Sequence, residues 1–133
     1  MSEHNMGFYG DLAGHRRMRE GALDGFLADF CPDKYKYAKF PHLRVAGEFD
    51  LILSGHFLFT YDDRFDYEFH LQSILSMAKL SGEIRIFPLV DMNNSKAGSD
   101  NPFSPFVYRL LDELPEFGLT AEIVPVDFEF QRG

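Results

Sequence analysis

The segment Phe49-Asp50-Leu51-Ile52-Leu53-Ser54-Gly55-His56-Phe57-Leu58-Phe59 constrains this chain more than any other. A near-continuous apolar run opens with Phe-Asp and breaks at Ser-Gly-His. Runs of this kind, rich in Leu, Ile and Phe, suit a strand buried on both faces of a parallel sheet. Small and polar residues stand where such a strand would end. In open α/β sheets, ligands bind at that carboxyl end. The segment points to an architecture and to a place for a site. It does not name a chemistry.

The chain has 133 residues, the length of one domain with a single core. Hydrophobic residues make up 45% and include 15 Phe, which excludes a disordered chain and predicts a Phe-rich core. The net charge of −8 repels phosphate backbones, so no nucleic-acid partner is expected. The one basic cluster, His15-Arg16-Arg17 with Arg19, is too short to reverse this and reads as a solvated helix face. The single Cys31 excludes an intramolecular disulfide and fits a reducing compartment. Nothing beside Cys31 looks like an activating base, so it reads as a half-buried thiol. The polar N-terminus lacks an apolar signal core, and no apolar run approaches a membrane span. A cytoplasmic protein without a membrane partner is the expectation.

Residues 1–10 read as a loose arm, and residues 11–133 as one α/β domain. From residue 11 to 30, Leu12, Met18, Leu23, Phe26, Leu27 and Phe30 recur roughly at helical spacing. Gly14, Gly21 and Gly25 weaken that helix, which then needs a tertiary surface to lie on. Residues 35–40 alternate aromatic or small with basic side chains and read as a half-exposed strand. After residues 49–59, a polar loop with Asp62 or Asp63 as cap leads into an amphipathic helix carrying Phe65, Phe69, Ile74, Met77 and Leu80. Ser81-Gly82 ends it, and residues 83–90 form a second apolar strand. The polar loop at 91–102 is unusually long, a substrate lid or a plain connection. A third helix around Phe106, Leu110 and Leu114 stops at Pro115 and Gly118, and residues 120–126 read as a last strand. Alternation of this kind predicts α/β with a largely parallel sheet.

Three segments together carry a family resemblance. They are residues 49–59, the helix start Tyr67-Glu68-Phe69-His70, and the string Gly82-Glu83-Ile84-Arg85-Ile86-Phe87-Pro88-Leu89. They resemble the C-terminal part of class I S-adenosylmethionine-dependent methyltransferases, most closely a bacterial branch. In that branch a Phe-Asp-Leu strand runs into Ser-His-Phe-Leu-Phe, followed by a Tyr-Glu-Phe-His helix and a Gly-Gly-Glu-x-Arg-Ile-Phe-Pro-Leu strand. The resemblance covers roughly residues 16 to 130. It implies a truncated or rearranged Rossmann-like methyltransferase sheet, mostly parallel and flanked by helices. It also implies methyl transfer from S-adenosylmethionine, with cofactor contacts at Ser54, Gly55 and Phe57 and His56 as the catalytic residue.

The chain departs from the family at the glycine-rich cofactor turn. That turn lets backbone approach the cofactor closely, and no Gly-x-Gly-x-Gly occurs here. The family strand whose terminal acid holds the ribose hydroxyls is also missing. The lone chain is therefore expected to bind S-adenosylmethionine weakly or not at all. A non-catalytic oligomerisation or protein-interaction module derived from a methyltransferase is the alternative. The missing strands would leave residues 49–59 as an open apolar edge, and such edges invite association. A homodimer, or a partner chain covering the edge between Phe49 and Phe59, is the expectation.

Other groupings are weaker. His56, Asp66 and His70 could be imagined as a metal site, but the spacing lacks a strong metal motif. Asp66 and His70 read instead as a helix-surface ion pair, and no metal ligand is assigned. Glu83 and Arg85 share one side of a strand and read as a local ion pair. Tyr61, Tyr67 and Tyr108 read as core or rim rather than as a pocket lining.

Overall fold

The computed structural model describes residues 11–91 and 102–127. The expected arm at 1–10, nearly all of the 91–102 loop, and the segment from Phe128 to the C-terminus lie outside the described residues. The chain divides into two compact units, Met1–Lys36 with Val124–Gly133, and Tyr37–Ile123.

In the first unit, helix α1 spans Leu12–Asp29. Asp11 caps it, its carboxylate accepting from Gly14 N–H at 2.6 Å and so satisfying one orphan donor of the first turn. The helix ends at Phe30, whose extended backbone (φ −61, ψ 127) leads into Cys31 and Pro32. Pro32 disfavours helix at the residue before it. Leu12 (70% exposed) and Leu27 (62%) stay largely open. The chain then turns back, with Tyr35 N–H donating to Cys31 C=O at 3.0 Å. The Tyr35 ring stacks on Phe30 at 5.4 Å, and its hydroxyl donates to Asp29. The strand expected at 35–40 does not form: the turn consumes its first residue, and among the described residues no strand pairs with the rest.

In the second unit, strand β1 covers Ile52–Gly55, helix α2 Tyr67–Ala78, strand β2 Ile84–Phe87 and helix α3 Pro105–Glu113. β1 and β2 pair in parallel, Ile52 with Ile84 and Gly55 with Phe87, so α2 is the crossover between them. Mixed α/β architecture with a parallel sheet thus holds, in a sheet of two strands among the described residues. Regular pairing is shorter than the apolar run. It is preceded by an isolated bridge from Phe49 to Ser81 and ends where His56 takes a left-handed backbone (φ 56).

Asp66, not Asp62 or Asp63, caps α2, accepting from Phe69 N–H at 2.8 Å. The intervening residues 58–64 are spent in turns, which moves the helix start downstream. Ser104 caps α3, with Pro105 at a first-turn position where its missing N–H costs nothing. A 3₁₀ turn, Leu114–Phe117, follows, and Gly118 closes it with φ 79, a conformation that suits glycine. Residues 120–126 form no strand, since none of the described residues pairs with them.

The core lies between α2, α3 and the segment after β1. It comprises Leu58, Phe59, Tyr67, Leu71, Ile74, Met77, Val107, Leu110 and Leu114. Ile52, Ile84 and Ile86 press one face of the sheet against it. Met77 is 1% exposed at the centre. Met77→Ala is expected to destabilise this unit by about 2–5 kcal/mol, read from urea denaturation followed by circular dichroism. A loss under about 0.5 kcal/mol would mean that the packing described for α2 is wrong.

Candidate functional site at the end of β1

The polar residues stand where the strand ends. Ser54 is half-buried, and Gly55 and His56 are exposed. His56 N–H donates to Phe87 C=O at 2.8 Å, which fixes the left-handed turn against the end of β2. The His56 ring lies edge-on to Phe87 at 5.9 Å. A Cβ added at Gly55 would meet only Phe87 O, at 3.9 Å. Phe57 belongs to an aromatic cluster, stacked on Phe40 at 5.4 Å and close to Phe65 and Phe69. The parallel sheet thus brings Ser54, Gly55 and His56 together at one carboxyl end beside Phe87, while the Phe57 ring sits among other rings.

Behind this end, a second left-handed residue, Phe59 (φ 67), drops the chain into the core. His70 holds it there. Phe59 N–H donates to His70 Nε2 at 2.9 Å, and His70 Nδ1 lies 2.8 Å from Asp66 C=O. A backbone carbonyl can only accept, so Nδ1 carries the proton and Nε2 offers its lone pair. The imidazole is therefore neutral, 1% exposed, and stacked on the Phe59 ring at 5.3 Å. Burial pushes its pKa down, against opposing contributions from the Asp66 carbonyl and the Asp62 and Asp66 charges.

This geometry corrects the surface ion pair expected between Asp66 and His70. The Asp66 carboxylate caps α2, and His70 meets the Asp66 main chain instead. It also removes His70 from any metal set with His56, and among the described residues no group of three or more His, Cys, Asp or Glu side chains could hold a metal ion. The ion pair between Arg85 and Glu83 is present at 2.7 Å.

A third arrangement joins α2 to α3 and was not singled out from the sequence. The Tyr67 hydroxyl donates to Glu113, Arg109 pairs with the other oxygen of Glu113 at 3.0 Å, and the Arg109 guanidinium lies 3.7 Å from the Tyr67 ring centre. Burial, then the Glu113 carboxylate, pushes the Tyr67 pKa up to about 12. The hydroxyl stays protonated at neutral pH, so this trio ties α2 to α3 and offers no base. The i, i+4 spacing of Arg109 and Glu113 was the available signal.

No family model matches the chain, and no solved structure matches it. An uncharacterised protein of Methanocaldococcus jannaschii is 31% identical over 121 residues, which is 89% of this chain and 49% of that protein. The chain therefore spans about half the length of the curated relative it matches. Among the described residues, no helix is long and apolar enough to cross a membrane.

The His70 clamp has a pH signature. The unfolded imidazole takes up a proton near pH 6.5, and the folded one takes it up only at lower pH. The unfolded state binds more protons in that window, so stability is full above about pH 6.5 and falls as pH drops toward the folded pKa. His70→Phe keeps a ring but leaves the Phe59 N–H unpaired, at a cost of about 1–3 kcal/mol. Urea midpoints between pH 7.5 and 5 should fall more steeply in the parent than in His70→Phe. Parallel profiles would refute the neutral clamp.

Proposed function

We infer that this chain is a methyltransferase-like module whose ligand-facing residues are Ser54, Gly55 and His56 at the carboxyl end of β1. The observation that carries this reading is the parallel β1–α2–β2 unit ending in those small and polar residues. Open α/β sheets bind ligands at such ends. The likeness of residues 49–59, 67–70 and 82–89 to S-adenosylmethionine-dependent enzymes gives the ligand its class. Ser54 would hydrogen-bond the ligand, Gly55 would allow its close approach, and His56 would be the polar contact or base.

These residues fit only one side of such a cofactor. Gly55 has room above it, and a hydroxyl and an imidazole stand close by. The sequence holds no Gly-x-Gly-x-Gly turn to cradle the amino-acid part. No chemical step is therefore assigned to the lone chain. In this reading a second polypeptide segment completes the site. Catalysis in the enzymes it resembles rests largely on positioning.

A second reading, a non-catalytic association module, is favoured by one observation. Leu53 is 71% exposed and Leu51 40%, on a strand composed for burial.

Calorimetric titration with S-adenosylhomocysteine tests the first reading. Binding weaker than micromolar is expected, with measurable heat at millimolar ligand that Gly55→Val abolishes. A Cβ at this position meets only the Phe87 carbonyl oxygen, at an ordinary contact distance of 3.9 Å, so the variant should fold. No heat and no thermal stabilisation at millimolar ligand, with the parent folded, would sink the methyltransferase reading. Micromolar binding would show that the lone chain needs no second segment.

A further inference from the structure

We propose that His70 is a pH-sensitive latch: its neutral imidazole holds the turn around Phe59 against the core, and protonation at Nε2 releases that turn while α2 and the sheet stay folded. The latch is independent of any ligand at the strand end. Acidification then acts first on one turn, not on the unit as a whole.

The hydrogen-bond roles give the latch two states. Near neutrality the imidazole is a fixed part of the scaffold, with Nδ1–H toward the Asp66 carbonyl and the Nε2 lone pair toward the Phe59 N–H. A proton added at Nε2 turns that acceptor into a donor. Two N–H groups would then face each other across 2.9 Å, a separation that suits only a donor and an acceptor. The ring cannot exchange the roles of its nitrogens, because the partner of Nδ1 is a carbonyl. One side has to move.

The turn is the side that yields. Helix α2 is capped by the Asp66 carboxylate and buries Leu71, Ile74 and Met77. Phe59 holds a left-handed backbone (φ 67), which for a residue of this bulk persists only under external restraint. Its carbonyl accepts from Asp62 N–H at 3.3 Å, a long bond. Among the described residues, the next side chain, Thr60, has its hydroxyl oxygen buried with no hydrogen-bond partner, and release returns it to water. The sheet-side anchor, His56 N–H on the Phe87 carbonyl, contains no titrating atom and persists. What comes free is the link between the strand end and α2.

The surroundings set the sense of the switch. The ring is 1% exposed and packs against Phe59 from the turn, Phe69 from α2 and Phe106 from α3. The charges acting on it are Asp62 from the turn and Asp66 at the head of α2, and both favour the proton. Arg109 and Glu113 of α3 are engaged with each other and with Tyr67. A buried imidazolium is costly, so the proton enters as the turn opens and water reaches the ring beside the two carboxylates.

The test is amide hydrogen exchange on the full chain, corrected for intrinsic pH dependence, with the His70 ring nitrogens followed by NMR. Between pH 7.5 and the pH at which the ring protonates, protection at Phe59 should fall by roughly tenfold or more, while Ile74 in α2 keeps its own. His70→Gln places an amide oxygen near the position of Nε2 and carries no titrating group, so its Phe59 protection should not vary with pH. His70→Phe should show at pH 7.5 the low protection that the parent reaches only in acid. Unchanged Phe59 protection on protonation overturns the latch, and so does a joint fall of Phe59 and Ile74, which would be global unfolding. A ring that stays neutral until the circular dichroism of the helices is lost overturns it as well. A pH-dependent loss retained in His70→Gln would assign the effect to another group and overturn the role of His70.

Discussion

The imidazole of His70 sits between the Phe59 N–H and the Asp66 carbonyl, and the second unit is arranged around that position. A chain leaving a strand must dispose of its next backbone groups. Here two left-handed residues, His56 and Phe59, redirect it within four positions. Left-handed backbone is unfavourable for residues of this bulk and persists only where its surroundings fix it. His56 is fixed by the Phe87 carbonyl of β2, and Phe59 by a side chain from α2. One anchor belongs to the sheet and the other to the core. The crossover helix thus holds the loop that leads into it.

That arrangement explains why the polar strand end stays accessible while the residues just after it are buried. Leu58 and Phe59 are 1% and 3% exposed, yet Gly55 and His56 face out. A buried imidazole with both nitrogens satisfied does not exchange protons readily, so His70 is part of the scaffold. His56, on the outer side of the same turn, is the histidine that a ligand could reach. The two look alike in the sequence. Their roles separate only through the backbone twist between them.

Helices were the legible part of this chain. The spacing of Ile74 and Met77, and of Val107, Leu110 and Leu114, reports a buried face directly, because a helix satisfies its own backbone. Strands were less so. Residues 35–40 and 120–126 have strand-like composition, but a strand exists only where a neighbour supplies hydrogen bonds, and composition cannot report the neighbour. The cap at Asp66 was hidden by two nearer aspartates, since any of the three could accept from a first-turn N–H. His70 was misjudged because an acid four residues back suggests an ion pair. The burial that turned its ring to the Asp66 main chain depends on Phe59 and Phe106, both distant in sequence. The strand-end grouping of Ser54, Gly55 and His56 was legible because a break in an apolar run marks a strand end without reference to any other segment.

The composition of β1 and its surroundings disagree, and both functional readings grow from that disagreement. Ile52 and Ser54 turn toward the core side, and their half-burial fits. Leu51 and Leu53 turn the other way and remain exposed, although their composition matches a strand covered on both faces. Among the described residues, this two-stranded sheet has one covered face and no strand on either outer edge, so about half of its polar backbone and half of its apolar surface is satisfied. Whatever supplies the rest must offer a strand to the edge and apolar side chains to the face. A ligand site at the end of β1 and a pairing surface along its edge use different atoms of the one stretch 51–56. The first needs the hydroxyl, the imidazole and the space above Gly55, and the second needs only peptide groups and leucines. Both can therefore be true of one molecule, and neither accounts for the residues that define the other.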